Sequence, residues 1–137
     1  MKIANDDHKY ISTGTTVYAC EYHIIWCTKY RRSVLSPEIQ ERLKALIFQQ
    51  QDAYRYIVRE VESMPDHIHL LASIPPEVSV TSVIGKIKGY TAKTLRNEFP
   101  TLRRRLPCLW TRSKFVASAG TVTLEVLEQY IEAQKGV

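Results

Sequence analysis

Apolar and polar residues alternate along several short stretches of the chain, a pattern that predicts β-strands. Residues 16–28 (TVYACEYHIIWCT) are rich in β-branched and aromatic residues and predict a first strand. Residues 54–64 (YRYIVREVESM) predict a second, and HIHLLASI, from residue 67 onwards, predicts a third. Because only a short Pro-Asp turn separates them, we expect the second and third strands to form a hairpin. A fourth strand is predicted at residues 109–117 (LWTRSKFVA).

Three other stretches carry apolar residues at the spacing of an amphipathic helix. The first begins at Ser36 and Pro37, since serine caps helices and proline suits their first position. Its predicted stripe is Ile39, Leu43, Leu46, Ile47 and Gln50. The second helix is marked by Val80, Val83, Ile84, Ile87, Thr91, Thr94 and Leu95, and should end near Phe99, before Pro100. The third, TLEVLEQYIEAQ (residues 123–134), follows Gly120.

The order strand, helix, strand, strand, helix, strand predicts the α+β, ferredoxin-like split βαβ fold, with an antiparallel sheet and two helices on one face. A C-terminal helix is added to it. The chain has 137 residues, enough for one domain with a modest core. We find no internal repeat or linker, so residues 1–137 are predicted to be a single domain, with residues 1–14 as a flexible tail.

Two histidines lie in the third strand, separated by one isoleucine. Side chains alternate along a strand, so Ile68 should pack on the helices while His67 and His69 share the opposite face. Cα atoms two residues apart in a strand are about 7 Å apart, close enough for both imidazoles to bind one metal ion. Two surface histidines without a function are the alternative interpretation.

The last helix offers further chemistry. Tyr130 and Gln134 are four residues apart and therefore lie on one helical face. If this helix crosses the open face of the sheet, Gln134 could give an amide oxygen to a histidine-bound cation, with the Tyr130 hydroxyl beside it. A core-edge tyrosine and a solvated glutamine remain the alternative.

The distribution of charged residues indicates which class of partner the protein binds. The net charge is +5, and the segment from Lys86 to Lys114 has nine basic residues and only one acid, Glu98. Such an excess favours a polyanionic partner. The residues expected to hold nucleic-acid phosphates are Lys86, Lys88, Lys93, Arg103, Arg104 and Arg105.

No apolar run approaches the roughly 20 residues of a membrane helix, and three cysteines without CxxC spacing argue against a disulfide framework or zinc knuckle. We expect a cytoplasmic protein without a membrane partner.

Five blocks of the sequence resemble the HUH-type single-tyrosine transposases of simple bacterial and archaeal insertion sequences, a superfamily that includes the REP-associated tyrosine transposases. The blocks are YHIIWCTKYRRSVL (22–35), MPDHIHLLASIPP (64–76), SVIGKIKGYTAKTL (82–95), LWTRSKFVASAG (109–120) and QYIEAQ (129–134). The resemblance implies a homodimer, at the nucleoid of a prokaryote, that cleaves single-stranded DNA at hairpin-bearing transposon ends. It also implies that Tyr130 is the nucleophile, that His67 and His69 are metal ligands, and that Gln134 completes the metal site.

The chemistry fits this resemblance. A bound Mg²⁺ would neutralise the scissile phosphate, and Mn²⁺ is a plausible substitute in vitro because two ligands are imidazoles. A tyrosine nucleophile would form a 5′-phosphotyrosine that keeps the energy of the diester, so no ATP is required, and the sequence has no GxxxxGK[ST] loop. Whether Asp66 or Glu62 assists the metal, and whether the tyrosine helix docks on its own subunit or on the partner, stays open.

Other classes remain possible from the sequence. A domesticated relative that processes chromosomal repeat hairpins would share the chemistry. A non-catalytic nucleic-acid-binding module would keep the basic segment but has no use for both HxH and YxxxQ. A phosphoesterase with paired HxT or HxS motifs needs a second histidine motif, and a zinc hydrolase needs a further ligand at a useful spacing; the sequence contains neither.

Overall fold

The computed structural model of the protein describes residues 10–120 and 122–137. Its main sheet has four antiparallel strands in the order β4-β5-β3-β6, and β1 and β2 form a separate two-stranded ribbon. The strands are β1 (Ile11–Ser12), β2 (Val17–Tyr18), β3 (Glu21–Cys27), β4 (Ile57–Met64), β5 (His67–Ser73) and β6 (Phe115–Ser118). The helices are α1 (Pro37–Gln49), α2 (Gln51–Tyr54), α3 (Val80–Glu98), α4 (Pro100–Arg105) and α5 (Leu124–Ala133).

The fold class predicted from the element order is confirmed. The strands that flank α1 and α3 in sequence interleave in the sheet, which is the ferredoxin-like order. The two long helices cover one face, and Ile24, Trp26, Ile68 and Leu70 of the central strands pack against them in the core. This packing leaves the histidine face of β5 turned away from both helices.

The helix boundaries follow local sequence rules. The Ser36 side chain accepts a hydrogen bond from the Ile39 N–H (3.3 Å), and the predicted apolar residues of α1 are buried. The second long helix ends at Glu98, as expected from Pro100. The sequence analysis missed the short helix α4, which begins at Pro100 because proline fits the first position of a new helix.

Three predicted strands are wrong in their bounds. The one predicted at residues 54–64 begins only at Ile57, because Gln51–Tyr54 form the short helix α2, which the sequence analysis missed. The stretch 16–28 is divided, because residues 17–18 pair with β1 and only residues 21–27 find partners in the main sheet. In the stretch 109–117, Trp110 makes only an isolated bridge to Thr28, and β6 begins at Phe115. The first nine residues of the predicted flexible tail lie outside the described residues, and Ile11–Ser12 of the same stretch forms β1.

Candidate active site

The two histidines of β5 lie on the sheet face predicted for them. Ile68, between them, is fully buried in the core beneath the helices, whereas His67 and His69 are half-buried on the opposite face. Across the neighbouring strand, Cys27 is the partner of His67 and Ile25 is the partner of His69. Directly opposed residues in an antiparallel pair share a face of the sheet. Cys27 and Ile25 of β3 therefore lie on the same face as His67 and His69, and we call this face the histidine surface.

His67 is oriented by the residue before it. Its Nδ1 lies 2.7 Å from Asp66 Oδ1, so the carboxylate accepts the Nδ1–H and leaves Nε2 with its lone pair. Thr28 fixes the backbone of this turn, since its N–H donates to the Asp66 carbonyl (3.0 Å) while its hydroxyl donates to the Arg32 carbonyl (2.6 Å). Of the two acids that the sequence left open, Asp66 contacts His67, while Glu62 lies on β4 opposite His69 and is exposed.

His69 has a partner that the sequence analysis did not assign to the site. His69 Nε2 lies 3.1 Å from His23 Nδ1, and the two rings stack with centroids 5.3 Å apart. Burial and the neighbouring His23 lower the pKa of His69 to about 4, so this imidazole is neutral at pH 7. The nitrogen of His69 that His23 does not engage is Nδ1. Only the cross-strand register brings the pair together, so no local pattern could have indicated it.

The last helix brings Tyr130 and Gln134 to one serine. The Tyr130 hydroxyl donates to Ser113 Oγ (3.2 Å), and Ser113 donates to Gln134 Oε1 (2.6 Å). The tyrosine ring packs against Phe115 of β6, with centroids 5.4 Å apart. Burial raises the pKa of Tyr130, and the contact with Ser113 opposes that rise. The predicted shared face of Tyr130 and Gln134 is therefore present, and Ser113 is a second residue that the sequence analysis missed.

The tyrosine and the histidines belong to one neighbourhood. Helix α5 packs on β3, and Cys27 of β3 is the cross-strand partner of His67. Arg31 also joins the two sides. Its Nη1 donates to the Ile131 carbonyl of α5 (3.1 Å), and its Nε lies 3.3 Å from Asp66 Oδ2. In this chain α5 is thus docked on its own sheet, next to the histidine strand.

The donors on this face suit a divalent cation. Among residues 10–120 and 122–137, no group of three or more His, Cys, Asp or Glu side chains could hold a metal ion. The two imidazoles would therefore need an oxygen from another residue type. Gln134 has an amide oxygen, which Ser113 engages in the docked helix. His67, held by the carboxylate at Nδ1, presents Nε2, and the neutral His69 presents Nδ1 when its Nε2–H donates to His23.

The six basic residues predicted to contact nucleic acid differ in their surroundings. Five are exposed: Lys86, Lys93, Arg103, Arg104 and Arg105. Arg103 bonds to the side chain of Asn97, and Lys86 Nζ lies 6.0 Å from the centre of the Tyr54 ring. Lys88 is half-buried and its ammonium donates to the carbonyls of Thr111 (2.8 Å) and Ser113 (3.1 Å). It thereby holds the segment that carries Ser113.

The burial of Lys88 has a testable effect on stability. Burial, with the nearby charge of Lys114, lowers the pKa of Lys88 from 10.5 to about 8. Between these pH values the unfolded chain binds the proton more tightly than the folded protein does. The free energy of unfolding of the wild type should therefore rise, relative to that of Lys88→Met, as the pH increases from about 8 to about 10.5. Urea denaturation at several pH values measures this difference.

The control for that experiment is Lys93→Met, which changes an exposed lysine of the same helix. The difference in the free energy of unfolding between Lys93→Met and the wild type should not vary over the same pH range. A pH-independent difference for Lys88→Met as well would mean that the Lys88 ammonium keeps its solvation in the folded protein.

A ferredoxin-like sheet with an HxH pair on its open face, and a tyrosine-bearing helix docked beside that pair, defines the class of HUH-type tyrosine transposases. Comparison with known families supports the same class, because the model for IS200-like transposases matches residues 16–134. The ISDra2 transposase TnpA of Deinococcus radiodurans is 35% identical over 122 residues, which cover 86% of each chain. The transposase of insertion sequence element IS200 from Salmonella typhimurium is 31% identical over 125 residues, covering 90% of this chain and 82% of the relative.

Solved structures share the fold. A crystal structure described as a transposase of Deinococcus radiodurans R1 superposes with a TM-score of 0.85 at 32% identity, covering 93% of this chain and all of the other. A REP-associated tyrosine transposase bound to a REP hairpin shares the fold, with a TM-score of 0.55 at 14% identity over 89% of this chain and 69% of the other. The chain belongs to the IS200-like transposase family.

Within the described residues, none of the helices is long and apolar enough to cross a membrane.

Proposed function

We propose that this transposase cleaves and rejoins single-stranded DNA at hairpin-bearing transposon ends through a covalent 5′-phosphotyrosine on Tyr130. The observation that carries the proposal is the meeting of two motifs from distant parts of the chain. Tyr130 and Gln134 converge on Ser113, and the same helix is joined through Arg31 and Asp66 to His67. A protein that only binds DNA has no use for this convergence.

In the proposed reaction the Tyr130 oxygen attacks the scissile phosphorus. The bond from this oxygen to phosphorus forms as the bond from phosphorus to the 3′ oxygen breaks. The phenol loses its proton and the departing 3′ oxygen gains one, so it leaves as a hydroxyl group. Ser113 accepts the hydrogen bond of the phenol in the docked helix and so fixes the direction of its proton. The phosphotyrosine conserves the energy of the diester, so a 3′-hydroxyl from another DNA end can reverse the step and join two strands.

His67, His69 and Gln134 are the residues proposed to hold the divalent cation, Mg²⁺ or, in vitro, Mn²⁺. When bound, such a cation supplies positive charge that neutralises the scissile phosphate and the departing 3′ oxygen. Asp66 supports it indirectly by keeping the Nδ1 proton on His67. No nucleotide cofactor enters the reaction.

The preference for hairpins and the homodimer are parts of the same proposal. The structural neighbour with a REP hairpin bound supports hairpin substrates for this fold. Lys86, Lys93 and Arg103 to Arg105 are exposed and basic, and would bind the phosphates of such a substrate with little sequence preference. A domesticated role, in which the protein processes chromosomal repeat hairpins, is the second candidate, and the same neighbour favours it. The ends that the protein cleaves would distinguish the two.

The test is a covalent trap. A single strand copied from the DNA that flanks the gene, folded into its hairpin, is incubated with the protein and Mg²⁺ or Mn²⁺. We expect an adduct that survives denaturation, and peptide mass spectrometry should place the nucleotide on Tyr130. The same sequence as a duplex should give little adduct, and EDTA should prevent it.

A protein that binds the hairpin tightly but forms no adduct with either metal would contradict the proposal and favour a non-catalytic binding module. An adduct of undiminished yield in EDTA would contradict the metal-dependent mechanism.

A further inference from the structure

Arg31 occupies a position between the two halves of the candidate site. Its guanidinium contacts Asp66 on one side (3.3 Å) and the Ile131 carbonyl of α5 on the other (3.1 Å). It also reaches Glu132 (3.2 Å), whose side chain is 72% exposed. The Arg31 side chain itself is only 18% exposed, so its contacts to Asp66 and Ile131 are shielded from water. Exposed ion pairs typically contribute at most about 1 kcal/mol, whereas such sheltered, multiple contacts of a guanidinium fix geometry.

The backbone at this point is held in an uncommon conformation. Tyr30 and Arg31 both have positive φ angles, 58° and 53°, although neither is glycine. Each such residue costs about 1–2 kcal/mol, so the surroundings must hold the loop in place. The Arg31 N–H donates to the Thr28 carbonyl (2.8 Å), and the Tyr30 carbonyl accepts from the Gly136 N–H (3.3 Å), beyond the end of α5. The strained loop thus aims Arg31 inwards and is tied to the segment that follows the tyrosine helix.

Asp66 divides its carboxylate between two partners. Oδ2 faces Arg31 and Oδ1 accepts the Nδ1–H of His67 (2.7 Å). Because a carboxylate is planar, fixing one oxygen fixes the direction of the other. The orientation of the His67 ring therefore depends on where Arg31 holds Asp66.

We propose that Arg31 is a positioning residue that couples the docking of the tyrosine helix to the orientation of His67. It contacts neither DNA nor the reacting atoms in this role. When the last turn of α5 is docked, the Ile131 carbonyl and Asp66 hold the guanidinium between them, and Asp66 then holds His67 with Nε2 available. The inference rests on the proposed function, since it concerns how the side chains of His67, Tyr130 and Gln134 are positioned relative to one another.

The shape of the side chain explains why arginine is needed. A guanidinium presents separate N–H groups on Nε and Nη1 in one rigid plane, and these two atoms contact Asp66 and Ile131 respectively. A lysine ammonium has a single nitrogen at the end of a flexible chain. Arg31→Lys keeps the charge beside Asp66 but should not bridge to α5 at the same time.

The experiment uses the full chain without DNA or metal in its first part. In Arg31→Ala, we expect the ¹⁵N shifts of His67 to show a mixture of ring tautomers in place of the single Nδ1–H form. We also expect faster amide hydrogen exchange in α5 (Leu124–Ala133). Arg31→Lys should retain more of the His67 signature than Arg31→Ala but show the same loosening of α5.

The second part measures Mn²⁺ affinity. Arg31→Ala should weaken binding of Mn²⁺ by about 10- to 100-fold, the range for residues that orient a metal ligand. Millimolar guanidinium, far below denaturing concentrations, should restore part of this affinity, because it can refill the space beside Asp66. Methylammonium should restore less. The matched control is Arg55→Ala, which removes another positive-φ arginine and its ion pair with Glu77 away from the site, and should change none of these measurements.

Unchanged His67 shifts and α5 exchange in a folded Arg31→Ala protein would overturn the inference. Equal effects of Arg31→Ala and Arg55→Ala would also overturn it, since they would indicate general destabilisation. If Arg31→Ala does not fold, Arg31→Lys decides: tight α5 exchange and unchanged Mn²⁺ affinity in that variant would refute the coupling. These outcomes are separate from failure of the proposed function, which would appear as absence of the DNA adduct in the wild type.

Discussion

Replacing Tyr130 with phenylalanine should abolish the covalent DNA adduct and all strand joining, with cleavage falling by roughly 10⁴-fold or more. The substitution removes the single oxygen that would attack phosphorus. It keeps the ring that packs on Phe115 and loses one hydrogen bond to Ser113, so the free energy of unfolding should fall by only about 1 kcal/mol. Denaturing gels measure the adduct, and hairpin binding should remain close to that of the wild type.

The matched control is Tyr54→Phe, since Tyr54 is also half-buried and stacks edge-on against another aromatic ring, Tyr90. This variant should form the adduct normally. If Tyr130→Phe formed the adduct in undiminished yield, Tyr130 would not be the nucleophile, whatever the result for Tyr54→Phe.

Loss of either histidine of the HxH pair should have a comparable effect on cleavage. His67→Ala and His69→Ala each remove one of only two proposed nitrogen donors, and should weaken Mn²⁺ binding by more than the roughly 10- to 100-fold typical of residues behind the ligands. Gln134→Ala should reduce cleavage less, because water can replace a neutral amide oxygen. Electron paramagnetic resonance of Mn²⁺ measures the affinity without DNA.

Gln129→Ala serves as the control for Gln134→Ala, because Gln129 is exposed on the same helix. It should leave metal affinity and cleavage unchanged. If both histidine variants bound Mn²⁺ as tightly as the wild type, the metal site would have to lie elsewhere.

The sequence predicted the parts of this molecule that local rules determine. The cap of α1 at Ser36, the end of α3 before Pro100 and the hairpin of β4 and β5 all depend on residues adjacent in the chain. The orientation of His67 and His69 away from the core follows from alternation along one strand. These features needed no knowledge of long-range contacts.

The features that the sequence did not predict depend on contacts between distant residues. His23 meets His69 across 46 positions, Ser113 meets Tyr130 across 17, and Arg31 meets Ile131 across 100. The segment before β6 was expected to be a strand because its residues favour that conformation. In the fold, however, the Lys88 ammonium of α3 donates hydrogen bonds to the carbonyls of Thr111 and Ser113. These carbonyls therefore do not accept hydrogen bonds from a neighbouring strand.

The central position of β3 in the main sheet affects how the chain folds during its synthesis. This strand precedes both of its neighbours, β5 and β6, in the chain, and Ile25 pairs with Phe115, ninety residues later. Pairing over such separations slows folding, because the intervening chain must be ordered first. On the ribosome, β3 has one edge unpaired until residues 115–118 have been translated, and α5 follows after that. The histidine strand and both of its neighbours are therefore translated before the tyrosine helix, so under the proposed mechanism a nascent chain acquires its nucleophile only after the sheet is complete.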